Sequence, residues 1–463
     1  MKDSAQQVPA ATTTRSKVGL FVVGRKRPGF DQDWNQTMRA QASEALAALG
    51  YECVGGDAPV ADDAAAARVI AQIRQAGCEA LVVLQPSLGH GQLSLTVMQQ
   101  WGKPVVLWAT PERQESPKAS SCSLVAQHLW ASIFRQANHP FEIVCGEPRD
   151  EDTRTHLERA VALTCTKVRL EKAKLGMLGG TAPGFLGMTP DLYAMKRQLG
   201  VQLAPQSLSQ FIDRVRGFDE SLVAKDVERV RAMKLPMREV TADDLILQSR
   251  YYLALRQTIE EEFLDALSLQ DWPELSNDVG QWPYLAMSRL CDEGFPISME
   301  GDADAAVLCL MARHLNMGLA FITDWLEHDE ETITFWHAGT VPMSMCPPAG
   351  SEGGPTLARH FNVEKPMVVD GTLRVDQPIT VARLWRCDDR YHMTAFEGRT
   401  VPLKRKLTGN VAVAQIDGGD VPGWFDTLCH AGFPHHPIVF YGRHGELLRR
   451  MARLLQVNWI HKP

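Results

Sequence analysis

Four short, continuous apolar runs alternate with helical patterns over the first 110 residues or so, and this alternation constrains the fold more than any other feature of the chain. The runs are Lys17-Val-Gly-Leu-Phe-Val-Val-Gly24, Tyr51-Glu-Cys-Val54, Ala80-Leu-Val-Val-Leu84 and Pro104-Val-Val-Leu-Trp108. Runs of this kind suit strands buried on both faces. Between them, residues 33–49, 61–77 and 93–101 read as helices, with apolar spacings of three and four clearest over 61–77. Strand and helix in turn predict a doubly wound parallel sheet, with ligands beyond the carboxyl ends of its strands. Those ends are Gly24-Arg-Lys-Arg-Pro28, Gln85-Pro-Ser-Leu-Gly-His90 and Ala109-Thr-Pro111.

The pattern then repeats in a second form. Phe141–Cys145 reads as a strand, and 150–174 as a long helix. Leu175–Gly180 reads as a strand running into the loop Gly179-Gly-Thr-Ala-Pro-Gly-Phe185. Residues 222–233 and 243–267 read as helices. From about Ala320 the chain changes character. Short strands are expected at 320–324, 332–336, 366–369, 379–383, 391–395 and 410–414, separated by Asp-Gly and Glu-Gly turns, and 445–455 closes the chain as a helix. The expected fold class is α/β: two doubly wound parallel-sheet domains followed by a β-rich, barrel-like C-terminal domain. The expected divisions are a disordered tail over 1–16, an N-terminal α/β domain over 17–140, a second α/β domain over 141–319 and the β-rich domain over 320–463. A chain of 463 residues has room for about three domains.

Composition narrows the class of function. With 48 Lys+Arg against 55 Asp+Glu the formal charge is −7, so the chain lacks the basic excess of a general nucleic-acid binder. No stretch approaches the ~20 apolar residues that span a bilayer, and the polar first 15 residues hold no secretory apolar core. Ten scattered cysteines form no C-x-x-C pair, which points to reduced thiols and a cytoplasmic protein.

Three motifs can carry chemistry. In Asp292-Glu-Gly-Phe-Pro-Ile-Ser-Met-Glu-Gly-Asp-Ala-Asp304, Glu300 ends a short strand and could project into a cleft, whereas Asp302 and Asp304 complement the N-terminus of a following helix. Asp324 ends the run Ala320-Phe-Ile-Thr-Asp324, where a buried carboxylate needs a partner or a metal, and His337 follows Thr334-Phe-Trp336. His435 and His436 precede the strand Ile438–Tyr441. Alternation would send the two rings to opposite faces, leaving one of them to ligate a given ion. Two carboxylates and an imidazole make a hard, oxygen-rich set that favours Mn²⁺ or Mg²⁺, and the imidazole favours Mn²⁺ or Co²⁺.

The stretch Pro283-Tyr-Leu-Ala-Met-Ser-Arg-Leu-Cys-Asp-Glu-Gly-Phe-Pro-Ile-Ser-Met-Glu-Gly-Asp-Ala-Asp-Ala-Ala306 resembles the L-fucose isomerase family. Ala320–Asp324 and Thr334–Gly339 resemble the start of that family's C-terminal domain. Gly432-Phe-Pro-His-His436 is similar to its metal-ligand region and to the His-His segment of L-arabinose isomerases, and the 179–185 loop is similar to a loop of the same relatives. The resemblance implies a metal-dependent aldose–ketose isomerase working through an enediol on a pentose, a 6-deoxyhexose or a related sugar. It implies Glu300 and Asp324 as metal-binding acid/base carboxylates and His436, or else His435, as third ligand. His337 would be a further ligand or line the pocket. Trp336, His337, His435, Arg25 and His90 are the candidate substrate contacts. Arg25, Lys26 and Arg27 in the pocket would suit an anionic substituent on the sugar. The cofactor implied is Mn²⁺, or another divalent cation such as Mg²⁺ or Co²⁺. The partners implied are a small sugar and further copies of the chain, such as a hexamer in the family's manner, with no nucleic acid and no membrane. A sugar epimerase using the same metal site, or a non-catalytic sugar-binding protein, is the alternative.

Overall fold

A computed structural model describes residues 17–25, 30–405 and 407–462. The expected tail over 1–16 and the loop residues Lys26 and Arg27 lie outside the described residues. The chain divides into two compact units, one up to Arg169 and one from Leu170.

The first unit is a five-stranded, all-parallel sheet. Its strands are β1 Lys17–Val22, β2 Glu52–Gly55, β3 Ala80–Gln85, β4 Val105–Ala109 and β5 Phe141–Cys145, in the order β2-β1-β3-β4-β5. Phe141–Cys145, read from sequence as opening the second unit, is thus the edge strand of the first sheet. The helices are α1 Gln32–Ala48, α2 Asp63–Gln75, α3 Gln92–Trp101, α4 Ser123–Gln136 and α5 Glu151–Lys172. Alternate strand residues feed two cores. Val18, Leu20, Val82 and Trp108 pack with residues of α1 and α5 on one face. Phe21, Val83, Val105 and Leu107 pack with residues of α2, α3 and α4 on the other. Burial on both sides is why these strands read as unbroken apolar runs.

The second unit opens with a four-stranded parallel sheet: β6 Lys174–Leu178, β7 Gln202–Gln206, β8 Ala266–Leu269 and β9 Ile297–Ser298, in the order β7-β6-β8-β9. A single turn, α6 Leu192–Ala194, precedes β7. Helices α7 Leu208–Arg216, α8 Glu220–Ala232, α9 Asp244–Glu261, α10 Tyr284–Asp292 and α11 Ala303–His314 complete this layer. The expected helix over 243–267 ends at Glu261, and its last residues belong to β8. Their apolar character continues the helical period, so spacing alone did not mark the change.

The C-terminal part of this unit is a largely antiparallel sheet. Its strands are β10 Ala320–Ile322, β11 Asp324–His328, β12 Thr332–His337, β13 Thr356–Arg359, β14 Pro366–Thr372, β15 Pro378–Cys387, β16 Arg390–Val401, β17 Asn410–Ile416, β18 Ile438–Tyr441 and β19 Asn458–Trp459. The main path runs β10-β18-β15-β16-β17-β12-β11. Its two ends, β10 and β11, are one piece of chain bent at Thr323, so the path closes on itself as a barrel does. Alternate residues fill the inside, among them Phe321, Ile333, Phe335, Ile379, Val381, Ala412, Ala414 and Val439. Two helices, α12 Val421–His430 and α13 Gly445–Leu455, lie in the last segment, and only α13 was expected from sequence.

Candidate active site

Three of the parallel strands of the second unit end at one place. The loop Gly179–Phe185 follows β6, Gln270 and Asp271 follow β8, and Glu300 follows β9. This is the carboxyl edge where ligands of such sheets sit. Glu300 has φ +58°, a conformation that costs a non-glycine residue about 1–3 kcal/mol. Its backbone is held on both sides: the amide donates to Asp271 Oδ1, and the carbonyl accepts from Ala182 N at 2.9 Å. Gly301 follows at φ +74°, and a Cβ there would stand 2.0 Å from the Gly180 carbonyl oxygen. Only glycine lets the two loops approach this closely.

The barrel seam supplies the other half of the site. At the bend, Thr323 N donates to Pro437 O at 3.0 Å, tying the β10/β11 junction to the segment just before β18. Asp324 opens β11 opposite Trp336 of β12, and His337 is the next residue on β12. The closure therefore gathers Asp324, His337 and His436, which come from three separate parts of the sequence.

The donor atoms converge. His436 Nε2 lies 3.3 Å from Glu300 Oε2 and 3.8 Å from Asp324 Oδ1, and His435 Nε2 lies 3.7 Å from Glu300 Oε2. Glu300, His435 and His436 form one group, and Asp324, His337 and His436 another, each with ligand atoms within 4.8 Å of one another. Alternation does not separate the two histidines, because both precede the strand. Their ring centroids are 4.3 Å apart, and both face Glu300. His436 is fully buried and His435 is exposed. Phe185 packs on the His435 ring at 4.9 Å and on Trp272 at 6.0 Å.

Three buried atoms of this cluster, Glu300 Oε2, His436 Nε2 and His337 Nδ1, have no hydrogen-bond partner. Orphaned buried polar atoms are costly. Donors bound to one ion at about 2.0–2.2 Å stand roughly 3–3.6 Å apart, close to the spacing here. The residues present therefore fit a divalent cation, and the oxygen–imidazole mixture suits Mn²⁺, Mg²⁺ or Co²⁺ better than a thiolate-loving ion.

At Glu300 and His337 the electrostatics agree with that use. Burial raises the Glu300 carboxyl, but His435 and His436 more than offset it, and the net direction is down. Burial, helped by His436 and His435, lowers His337 against the Asp324 and Glu300 charges and favours the neutral, ligating imidazole. His436 is raised: burial pulls it down, and Asp302 and Glu300 outweigh that. Asp271 is pushed up to about 7 by burial and by the Glu300 charge.

None of the remaining expected site residues is among the grouped donors. Trp336 packs on Phe361 at 4.9 Å, and its indole N–H donates to Thr408 O at 2.7 Å, so it stands outside the donor cluster. Arg25 and His90 belong to the first unit. Arg25 stacks on Phe30 at 4.8 Å and lines a cavity of about 350 Å³ with Arg39, Asn35, Gln36 and Ser87, at the carboxyl ends of β1 and β3. His90 is exposed in the turn after β3. Sequence reading missed Asp271, because β8 was hidden in an expected helix. It took Asp302 as a helix cap only. Asp302 does accept from Ala305 N at 3.0 Å, but it also accepts from His436 Nδ1 and from Arg383, a residue with no local motif to mark it.

Residues 21–122 match the family model of the fucose/sulfoquinovose isomerase N-terminal domain. Its distant homologues include sugar isomerases. It is 24% identical over 376 residues to the sulfoquinovose isomerases of Priestia aryabhattai and Priestia megaterium, covering 80% of this chain and 83% of each relative. The L-arabinose isomerase of Thermotoga neapolitana is 21% identical over 344 residues, covering 71% of this chain and 67% of the relative. These homologues are ketol isomerases. Among the described residues, no helix is long and apolar enough to cross a membrane.

Proposed function

We propose that this chain is a metal-dependent aldose–ketose isomerase. Glu300, Asp324 and His436 would hold the cation, with His337 as a further donor. The observation that carries the reading is the convergence of orphaned carboxylate and imidazole atoms at the carboxyl edge of the second sheet, in a chain whose distant homologues are sugar isomerases. A bound divalent ion, Mn²⁺ in the first instance, would supply Lewis acidity to polarise the sugar's carbonyl.

The chain's own residues move the protons. Converting an aldose to a ketose takes the proton on C2 to C1 and the proton on O2 to O1, through a 1,2-enediol. One of the Glu300 and Asp324 carboxylates takes the C2 proton and returns it at C1. The other carries the oxygen-bound proton, which needs a group within hydrogen-bond reach. Phe185 and Trp272 give the site an apolar wall against which the sugar carbons can lie.

The substrate class is a pentose, a 6-deoxyhexose or a related sugar. A sulfonated sugar is favoured because the Priestia relatives are sulfoquinovose isomerases. Ten cysteines, all unpaired, suit a cytoplasmic enzyme. The working assembly would be a homo-oligomer, as the family resemblance implies.

The test is ketose formation from an aldose panel of pentoses, 6-deoxyhexoses and sulfoquinovose, using protein stripped by chelator and resupplied with Mn²⁺. Metal-restored turnover on one of these sugars is expected. Stoichiometric Mn²⁺ binding without turnover on any panel sugar would overturn the substrate class, and absence of both would overturn the enzyme reading.

A further inference from the structure

His436 is the residue shared by both donor groups, and it is gripped from behind. Its Nδ1 lies 2.9 Å from Asp302 Oδ2. The same carboxylate takes a two-pronged contact from Arg383, Nη1 to Oδ2 at 2.7 Å and Nη2 to Oδ1 at 2.9 Å. All three side chains are completely buried. The guanidinium makes Asp302 an ionised acceptor with no proton to give. His436 Nδ1 is therefore the donor to Asp302, which leaves Nε2 as the ring atom aimed at Glu300 and Asp324.

The backbone makes this grip short and stiff. Asp302 lies two residues beyond Glu300 and caps α11 through Ala305 N, and Ser298 Oγ donates to its carbonyl at 2.7 Å. Arg383 sits on β15, which pairs with β18 immediately after the two histidines. One loop thus delivers a carboxylate donor to the front of the cluster and a carboxylate anchor to the back of its imidazole.

We propose that Asp302, clamped by Arg383, is a positioning residue that fixes the tautomer and orientation of His436 for metal binding. This rests on the metal-site reading above. Carboxylate partners behind ligating imidazoles raise metal affinity by about 10–100-fold.

The experiment titrates chelator-stripped full-length protein with Mn²⁺, following the loss of the free-ion electron paramagnetic resonance signal. Asp302→Asn is expected to weaken Mn²⁺ binding about 10–100-fold. Arg383→Lys keeps the charge but loses the planar fork, and is expected to weaken it about tenfold. Tyr391→Phe is the control. It removes the 2.9 Å hydrogen bond to Asp304 in the same buried cluster without touching a donor, and should leave affinity within about twofold. A purely structural role would lower the melting temperatures of Asp302→Asn and Tyr391→Phe alike and leave Mn²⁺ affinity unchanged in both, which overturns the proposal. Should Asp302→Asn fail to fold, Arg383→Lys decides, and unchanged affinity there overturns it. If the unaltered protein takes up no Mn²⁺, the metal-site reading fails first and this inference fails with it. If the unaltered protein binds and Asp302→Asn binds equally well, only the inference falls.

Discussion

His436 Nε2 stands 3.8 Å from Asp324 Oδ1, although one residue precedes β18 and the other opens β11. The contact exists because β10 and β11 are a single strand bent at Thr323, so that β18 and β12 flank the same bend. Barrel closure thus builds half of the donor cluster, and the β9 loop adds Glu300.

Removing one carboxylate tests that arrangement directly. Glu300→Gln keeps the shape of the side chain but loses an anionic donor and a proton acceptor. Steady-state turnover with saturating Mn²⁺ should fall by about 10²–10⁴-fold, and Mn²⁺ binding should weaken. Activity equal to that of the unaltered protein would remove Glu300 from the mechanism.

Metal should also report through stability. Binding to the folded state alone stabilises by about 2.7 kcal/mol when the ion is at a hundred times its dissociation constant. For a unit of this size that corresponds to a melting-temperature rise of roughly 5 °C. Differential scanning calorimetry with and without Mn²⁺ should place the rise in the transition of the second unit. His436→Asn should abolish it.

Gly301 is constrained twice, by φ +74° and by the Gly180 carbonyl 2.0 Å from any Cβ. Gly301→Ala should cost about 2–4 kcal/mol in urea unfolding and lower turnover by at least about tenfold, since it pushes the Glu300 loop off the 179–185 loop. Gly318 has φ +87° with open space around it, so Gly318→Ala carries backbone strain alone. It should cost about 1 kcal/mol and leave turnover intact. Equal losses in the two variants would show that the close approach contributes nothing.

A pH-dependent prediction falls in the first unit. Glu112 accepts from Ser120 N, Ser120 Oγ and Ser121 N on one oxygen, and from Ser121 Oγ and Cys122 N on the other. Partial burial raises this carboxyl, but the hydroxyl and amide donors outweigh it and bring it down to about 2. A depressed carboxylate stabilises the folded state at pH above its unfolded value, near 4.5, and that contribution is lost as pH falls toward 2. Glu112→Gln should therefore lower the stability of this unit by about 1–2 kcal/mol at pH 7. The gap between the two urea midpoints should narrow steadily below pH 4.5. A gap independent of pH would mean that the charge is not what the cradle holds.

Much of the architecture was written locally. Strands of the first sheet such as β1 and β3 carry apolar side chains on both faces, so their burial shows in consecutive residues. The helix Gly445–Leu455 and the strands β12 and β15 show equally well, because one face of each must meet a core. The boundary between α9 and β8 did not show. Its residues are apolar under either period, and only pairing with β6 made them a strand. Losing β8 also lost Asp271, whose place at a strand end would have marked it.

The sequence by itself determined which residues could serve the site: acids and histidines set beside strand ends, where hydrophobic patterning stops and a polar side chain has to be accounted for. Only the tertiary structure decided how they meet. It placed His435 and His436 on the same side and kept Trp336 out of the cluster. It also revealed Asp302 and Arg383 as one buried clamp on His436. A metal centre is a set of distances between atoms far apart in the chain, and local periodicity fixes the face on which a side chain lies but not the partner that closure of the sheet brings to it.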